Sequence, residues 1–247
     1  MEAGAGSPRL TLSMAVTALV SGGKDSIYAA YLAETQGWSV DELVTLRPED
    51  PESMMFHTPN LDLVPLQAAS WGKRHRSIPV HGRGEVAELD ALEEALAHEV
   101  GPVVAGAIES SYQWARLLRV GGRVGRRVFT PLWRRDPARV VREEISAGLD
   151  IRLVHLAAES LSPELLGRPV DVRFLEELER TGRRGPRVNV AGEGGEYETL
   201  VVDAPFFRER IEIDQEDREI TASTARLTIR KAHLVGKPDR AGGAHRP

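Results

Sequence analysis

The stretch AVTALVSGGKDSIYAAYLAE, residues 15 to 34, decides the fold. Residues 15 to 20 are an apolar run suited to a buried strand, and residues 24 to 36 carry the spacing of an amphipathic helix. Between them stands SGGKDS, residues 21 to 26. A strand, a glycine turn and a helix start bring unpaired backbone N–H groups and the positive end of the helix dipole to one point, which is the geometry of an anion site. The turn has neither the G-x-x-x-x-G-K-[ST] spacing of a Walker A loop nor the third glycine of a dinucleotide fingerprint, so a different phosphate loop is expected. Gly22 and Gly23 can take backbone angles closed to other residues, Lys24 adds a point charge, and the hydroxyls of Ser21 and Ser26 add donors. Asp25 has two readings: it caps the helix start, or it holds a magnesium ion shared with the phosphates.

Outward from that turn, strands and helices alternate. SVDELVTLR (39–47) reads as a second strand and DLVPLQAASWG (62–72) as a helix that Pro65 delays to about Val64. A short strand near SIPV (77–80) precedes EVAELDALEEALAHEV (85–100), where Val86, Leu89, Leu92, Leu96 and Val100 share one helical face. PVVAGAI (102–108) reads as a buried parallel strand, SSYQWARLLRV as the next helix and RRVFTPLW as the next strand. This rhythm is that of a doubly wound parallel α/β sheet. After Trp133 the pattern changes, so residues 14–133 are expected to form one domain and 134–235 a second, smaller α/β domain. In the latter, Asp136 caps a helix that Pro137 opens and Gly148 stops, followed by a strand (IRLVHLAA), a helix (DVRFLEELER) and a glycine-rich turn feeding a strand (GEGGEYETLVVDAPFF). Residues 1–13 and 236–247 read as loose tails, and Met14 could serve as a start.

Composition narrows the function. The 247 residues are 41% hydrophobic and 28% charged, ordinary for a globular protein, and no apolar run reaches the roughly 20 residues that span a bilayer. A net charge of −5 offers no general field for nucleic acid; RVGGRVGRR, residues 119 to 127, is the one basic stretch, and a solvated helix end is its simpler explanation. The absence of cysteine excludes disulfides, thiolate zinc sites and cysteine nucleophiles, and fits a cytoplasmic setting.

The first turn resembles the S-G-G-x-D-S loop of the ATP pyrophosphatases with a HUP-type sheet. MFHTPN (55–60), GAIESSYQ (106–113), FTPLWRRD (129–136) and GEGGEYETLVVDAPFF (192–207), in that order, make the chain similar to the diphthine-ammonia ligase family over residues 14 to 213. Pro65 and GGRVGRR depart from the family's pattern outside these motifs. The resemblance implies a HUP domain followed by a substrate domain, and cleavage of ATP between the α and β phosphates with AMP left on an oxygen of the acceptor. Ser21, Gly22, Gly23, Lys24, Asp25 and Ser26 would bind ATP and its leaving pyrophosphate, with magnesium on Asp25. Lacking cysteine, the chain can neither transfer sulfur through its own thiols nor release ammonia with a cysteine glutaminase, which leaves free ammonia or another amine as nucleophile.

The second motif suits that chemistry. Glu193, Glu196 and Glu198 crowd a turn made flexible by Gly194 and Gly195, where carboxylates can hold an ammonium ion, a cationic acceptor or a second metal. Tyr197 would suit a trimethylammonium group such as diphthine carries. Lys24, Asp25, Glu193 and Glu196 are the expected catalytic set. His57, Tyr112 and Gln113 are further candidates for acceptor contact, His57 as a base for the attacking amine and the other two at the carboxyl edge of the sheet. Ser110 or Ser111 could simply cap a helix, and Trp114 and Trp133 are most economically packing residues. The implied partners are ATP, ammonium and either a diphthine-bearing elongation factor or a small carboxylate, with a homodimer left open. The rival readings are an amine ligase for a small molecule, a tRNA-modifying ligase such as lysidine synthetase, and a nucleotide sensor without catalysis.

Overall fold

The computed structural model describes residues 14–49, 60–97, 101–157, 161–182 and 188–238. Its first half is a parallel sheet of order β3-β2-β1-β4-β5, built from β1 (Ala15–Leu19), β2 (Ser39–Pro48), β3 (Arg74–Val80), β4 (Val103–Val104) and β5 (Val128–Phe129). The connecting helices are α1 (Lys24–Thr35), α2 (Val64–Trp71), α3 (Gly84–Ala97) and α4 (Ser111–Arg123). Strand alternation divides the apolar side chains between two faces. Val16, Ala18, Val40, Leu43 and Val104 pack toward α1 and α2, while Val44, Leu46 and Val103 pack with Leu89, Leu92, Leu117 and Val120 of α3 and α4. Helices on both faces make this the α/β sheet expected.

The second half is an antiparallel sheet of order β7-β6-β9-β8, from β6 (Asp150–Leu156), β7 (Tyr197–Asp203), β8 (Glu209–Ile220) and β9 (Ala225–Gly236), with α5 (Pro137–Ser146) and α6 (Val172–Gly182). Asp136 accepts a hydrogen bond from Arg139 N at 2.7 Å, Pro137 opens α5, and Gly148 lies past its end at φ 82°, all as the residue types require. The two sheets share one apolar core: Val16 and Ile27 belong to the same cluster as Leu153, Leu175 and Val201.

Several elements differ from expectation. Val86 is 71% exposed, because the buried face of α3 runs through Glu88, Leu89, Ala91, Leu92, Ala95 and Leu96. β4 is confined to Val103–Val104, and the apolar residues after it are buried in irregular backbone. The hairpin of β8 and β9 was not anticipated. Asn60, at φ 58°, ties it to the first half by donating to Leu227 O at 2.9 Å and accepting from Ile229 N at 2.8 Å. Gly236 ends β9 and Lys237 binds Asp203 and Ala204 O, so the expected tail begins beyond them. The expected tail at 1–13 and Val100 lie outside the described residues. Among the described residues, no helix is long and apolar enough to cross a membrane.

Candidate functional site

The order of the parallel sheet reverses beside β1, and the crevice outside the carboxyl ends of β1 and β4 is where such sheets bind ligands. Both expected motifs meet there. After β1, Gly22 takes φ +82°, closed to most side chains, and its carbonyl accepts from Val201 N at 3.0 Å and from Gln67 Nε2 at 2.9 Å. After β4, Gly106 passes so close to the start of α1 that a Cβ there would lie 2.7 Å from the carbonyl group of Asp25 and 2.8 Å from Ser26 N. The N–H groups of Gly22 and Gly23 make no hydrogen bond among the described residues. Ser26 Oγ accepts from Ser21 N at 3.2 Å and donates to Gly23 O at 3.0 Å, which closes the turn on itself.

Asp25 does not cap the helix. Gly23 is the N-cap of α1 and carries no side chain, and the N–H of Lys24 is taken instead by Thr199 Oγ1 at 3.2 Å, from β7. Lys24 itself is turned inward, 1% exposed, with Nζ 2.7 Å from both Asp25 oxygens and 2.8 Å from Ala191 O. Burial works against its charge, but Asp25, then Glu144, outweigh it and hold the ammonium above the usual lysine range. Asp25 stays 24% exposed. Glu144 of α5 completes this cluster: it is fully buried, its two oxygens have no hydrogen-bond partner among the described residues, and burial, then the Asp25 charge, push its pKa well up.

The second turn is held differently. Glu196 accepts from Asn189 N and Gly194 N, each at 2.9 Å, so its carboxylate closes its own loop. Glu193 reaches out of the loop to the start of α4, accepting from Glu109 N at 3.0 Å and Ser110 N at 3.3 Å. Burial, then the charge of Asp25, raise its pKa. Tyr197 is buried, its hydroxyl donates to Val190 O, and its ring faces Lys24 Nζ at 5.9 Å to the centroid. Glu198 lies on β7 opposite His155 of β6. Gly194 and Gly195 sit in the turn ahead of β7.

The remaining candidates fall around this centre. Ser110 caps α4, accepting from Gln113 N at 3.3 Å, and Tyr112 carries the Arg116 guanidinium 3.2 Å from its ring centroid. Trp114 and Trp133 stack on each other, centroids 4.7 Å apart with planes 1° from parallel. His57 lies outside the described residues. The basic stretch at the end of α4 is engaged locally: Arg123 pairs with Glu93, and Arg126 donates to Leu96 O. Thr199, Gln67 and Glu144 were not singled out from sequence. For Glu144 a signal exists, since Val140, Val141 and Glu144 fall on one face of α5. A threonine in a strand and a glutamine in a helix carry none.

Fold and site together define a two-sheet α/β protein with a glycine turn between β1 and α1 whose Gly22 and Gly23 N–H groups are without partners among the described residues, closed by a turn from the second half. Residues 14–128 match the diphthamide synthase N-terminal domain and 136–235 the diphthamide synthase C-terminal domain, so the chain belongs to the diphthamide synthase family. It is 34% identical to the diphthine–ammonia ligase of Danio rerio, covering 86% of this chain and 91% of that protein. It is 31% identical to that of Bos taurus, covering 91% and 94%. A solved structure of a predicted subunit of tRNA methyltransferase from Methanocaldococcus jannaschii aligns at 18% identity with a TM-score of 0.43, covering 78% of this chain and 98% of that one.

Proposed function

We propose that the protein is an ATP-dependent, AMP-forming carbon–nitrogen ligase that activates a carboxylate as its adenylate and transfers ammonia to it. The observation that carries this reading is the match of both halves to the diphthamide synthase domains, with the glycine turn and the second turn meeting at one crevice. By analogy with relatives named diphthine–ammonia ligase, the acceptor would be the diphthine carboxylate of a translation elongation factor, and the protein would work in the cytoplasm where translation runs.

In this reading the free N–H groups of Gly22 and Gly23, with the α1 dipole behind them, receive the β and γ phosphates as they become pyrophosphate. Lys24 supports the turn from within through Asp25 and Ala191. Asp25, the partly exposed carboxylate of the turn, suits a magnesium ion that takes its other ligands from phosphate and water. Such an ion would neutralise charge building on the leaving group. Glu193, which feels the charge of Asp25 and reaches from the second turn to the start of α4, would meet the ammonium, while Glu196 shapes the turn that carries it.

The test is the nucleotide product. Given ATP, magnesium, ammonium and a diphthine-bearing elongation factor, the protein should release AMP and pyrophosphate in step with amide formation. ADP and phosphate as products would overturn the reading.

A further inference from the structure

The donors expected to grip phosphate are largely committed inside the protein. All of the Lys24 ammonium's neighbours are protein acceptors, and the Ser26 hydroxyl hydrogen goes to Gly23 O. Thr199 is different. Its Oγ1 accepts the Lys24 N–H at 3.2 Å, and among the described residues its own hydroxyl hydrogen has no acceptor. That hydroxyl stands at the first N–H of α1, where Gly23 leaves the helix without a capping side chain of its own. It is held there by the backbone of β7, whose Val201 N binds Gly22 O two residues further along. A hydroxyl that accepts from a helix-start N–H is polarised to donate, and its hydrogen is left for the anion the turn attracts.

We infer that Thr199 is a pyrophosphate-binding residue: its hydroxyl donates to a phosphate oxygen held at the start of α1, so that the second half of the chain supplies part of the nucleotide site. The inference depends on the reading that this turn binds the phosphates of ATP. It makes Thr199 a specificity element for the leaving group, with no role toward the adenosine.

Calorimetric titration of the full chain with magnesium pyrophosphate and, separately, with AMP tests it. Thr199→Val should weaken pyrophosphate binding about tenfold or more, the size expected of a lost hydrogen bond to a charged group, and leave AMP binding within about twofold. Thr199→Ser, which keeps the hydroxyl, should restore pyrophosphate binding to within about threefold. Unchanged pyrophosphate binding by Thr199→Val overturns the inference, as does an equal loss for both ligands or a failure of serine to restore it. A wild-type protein that binds neither ligand overturns the ATP-site reading itself, and this inference with it.

Discussion

The two turns that meet at the crevice are stabilised in different ways. Residues 21 to 26 close on themselves through Ser26 but are fastened largely from outside: Gly22 O by Val201 and Gln67, Lys24 N by Thr199 and Lys24 Nζ by Ala191. Residues 189 to 197 are fastened in part from within, through Glu196 on Asn189 and Gly194 and Tyr197 on Val190, while Glu193 and Asn189 reach across to the segment before α4 and Ala191 O accepts from Lys24. A loop that must leave its N–H groups free for a ligand cannot use them to hold its own shape, so its order has to be imported. The second turn closes its own backbone through the Glu196 carboxylate and so can turn Glu193 and Asn189 outward.

Lys24 is where this contrast can be broken most sharply. Lys24→Met would leave Asp25 beside the buried Glu144 and Glu193 with no cation among them. Removing one partner of a buried pair costs about 3 to 5 kcal/mol, and at roughly 2 to 4 °C per kcal/mol for a chain of this size the melting temperature should fall by about 10 °C. A melting temperature within about 2 °C of wild type would show that the turn does not depend on this strut. Gly106→Ala comes next, because its Cβ would meet the backbone of Asp25 and Ser26 rather than a side chain that could swing away. A loss of about 1 to 3 kcal/mol is expected, together with weaker binding of a nonhydrolysable ATP analogue. Normal affinity in that variant would show that α1 can shift without harming the anion site.

Glu196→Gln probes the second turn. The amide can accept one of the two N–H groups and opposes the other, for a loss of about 1 to 2 kcal/mol, with ATP-analogue affinity and the KM for ammonium unchanged. A tenfold rise in that KM with melting unaffected would make Glu196 an ammonium ligand and reverse the roles given to the two glutamates. The smallest effect is expected at the clasp between α1 and α5, where Tyr28 donates to Glu143 at 3.3 Å. Burial of Glu143 acts upward on its pKa, but hydrogen bonds from Arg135 and Arg139 prevail and lower it, while burial and Glu143 raise Tyr28 to about 12. A lowered carboxylate pKa contributes stability that is full above its unfolded value of 4.5 and is lost as pH falls through the folded value. Glu143→Gln should therefore lower the melting temperature by a few degrees at neutral pH, less than about 1 kcal/mol, and converge on wild type once the pH has fallen below the lowered folded pKa of Glu143. A difference that persists in acid would assign the effect to packing.

What was legible in the sequence is what local chemistry dictates. The strand, turn and helix around SGGKDS, the delay of α2 by Pro65, and the bounds of α5 by Asp136, Pro137 and Gly148 all follow from residues acting on their own backbone. The β8–β9 hairpin was invisible because much of both strands faces solvent and carries charge, so little alternation marks them; Ile211, Leu227 and Ile229 are among their few buried side chains. In the site, the residue types of the turn announced an anion, but no spacing rule reveals that Lys24 would find Ala191 or that Thr199 would take a helix-start N–H. Those pairings exist only once two sheets have packed on one core. On α3 the expected face holds at Leu89, Leu92 and Leu96 and, among the described residues, fails only at Val86, where the buried face runs through Ala91 and Ala95 instead.

Of the hydrogen bonds that fasten the first turn, Gln67 on Gly22 spans 45 positions of the chain, but Lys24 and Ala191 lie 167 apart and Lys24 and Thr199 lie 175 apart. During synthesis, the parallel sheet can therefore assemble long before the loop it carries takes its final shape. Contacts of such separation form late and slowly. A nascent chain that has emerged only through β5 has its core strands but none of the locks on Gly22 and Lys24 from β7. The final shape of the turn is in this sense a mark of completion, set only when residues near 200 have found those near 20.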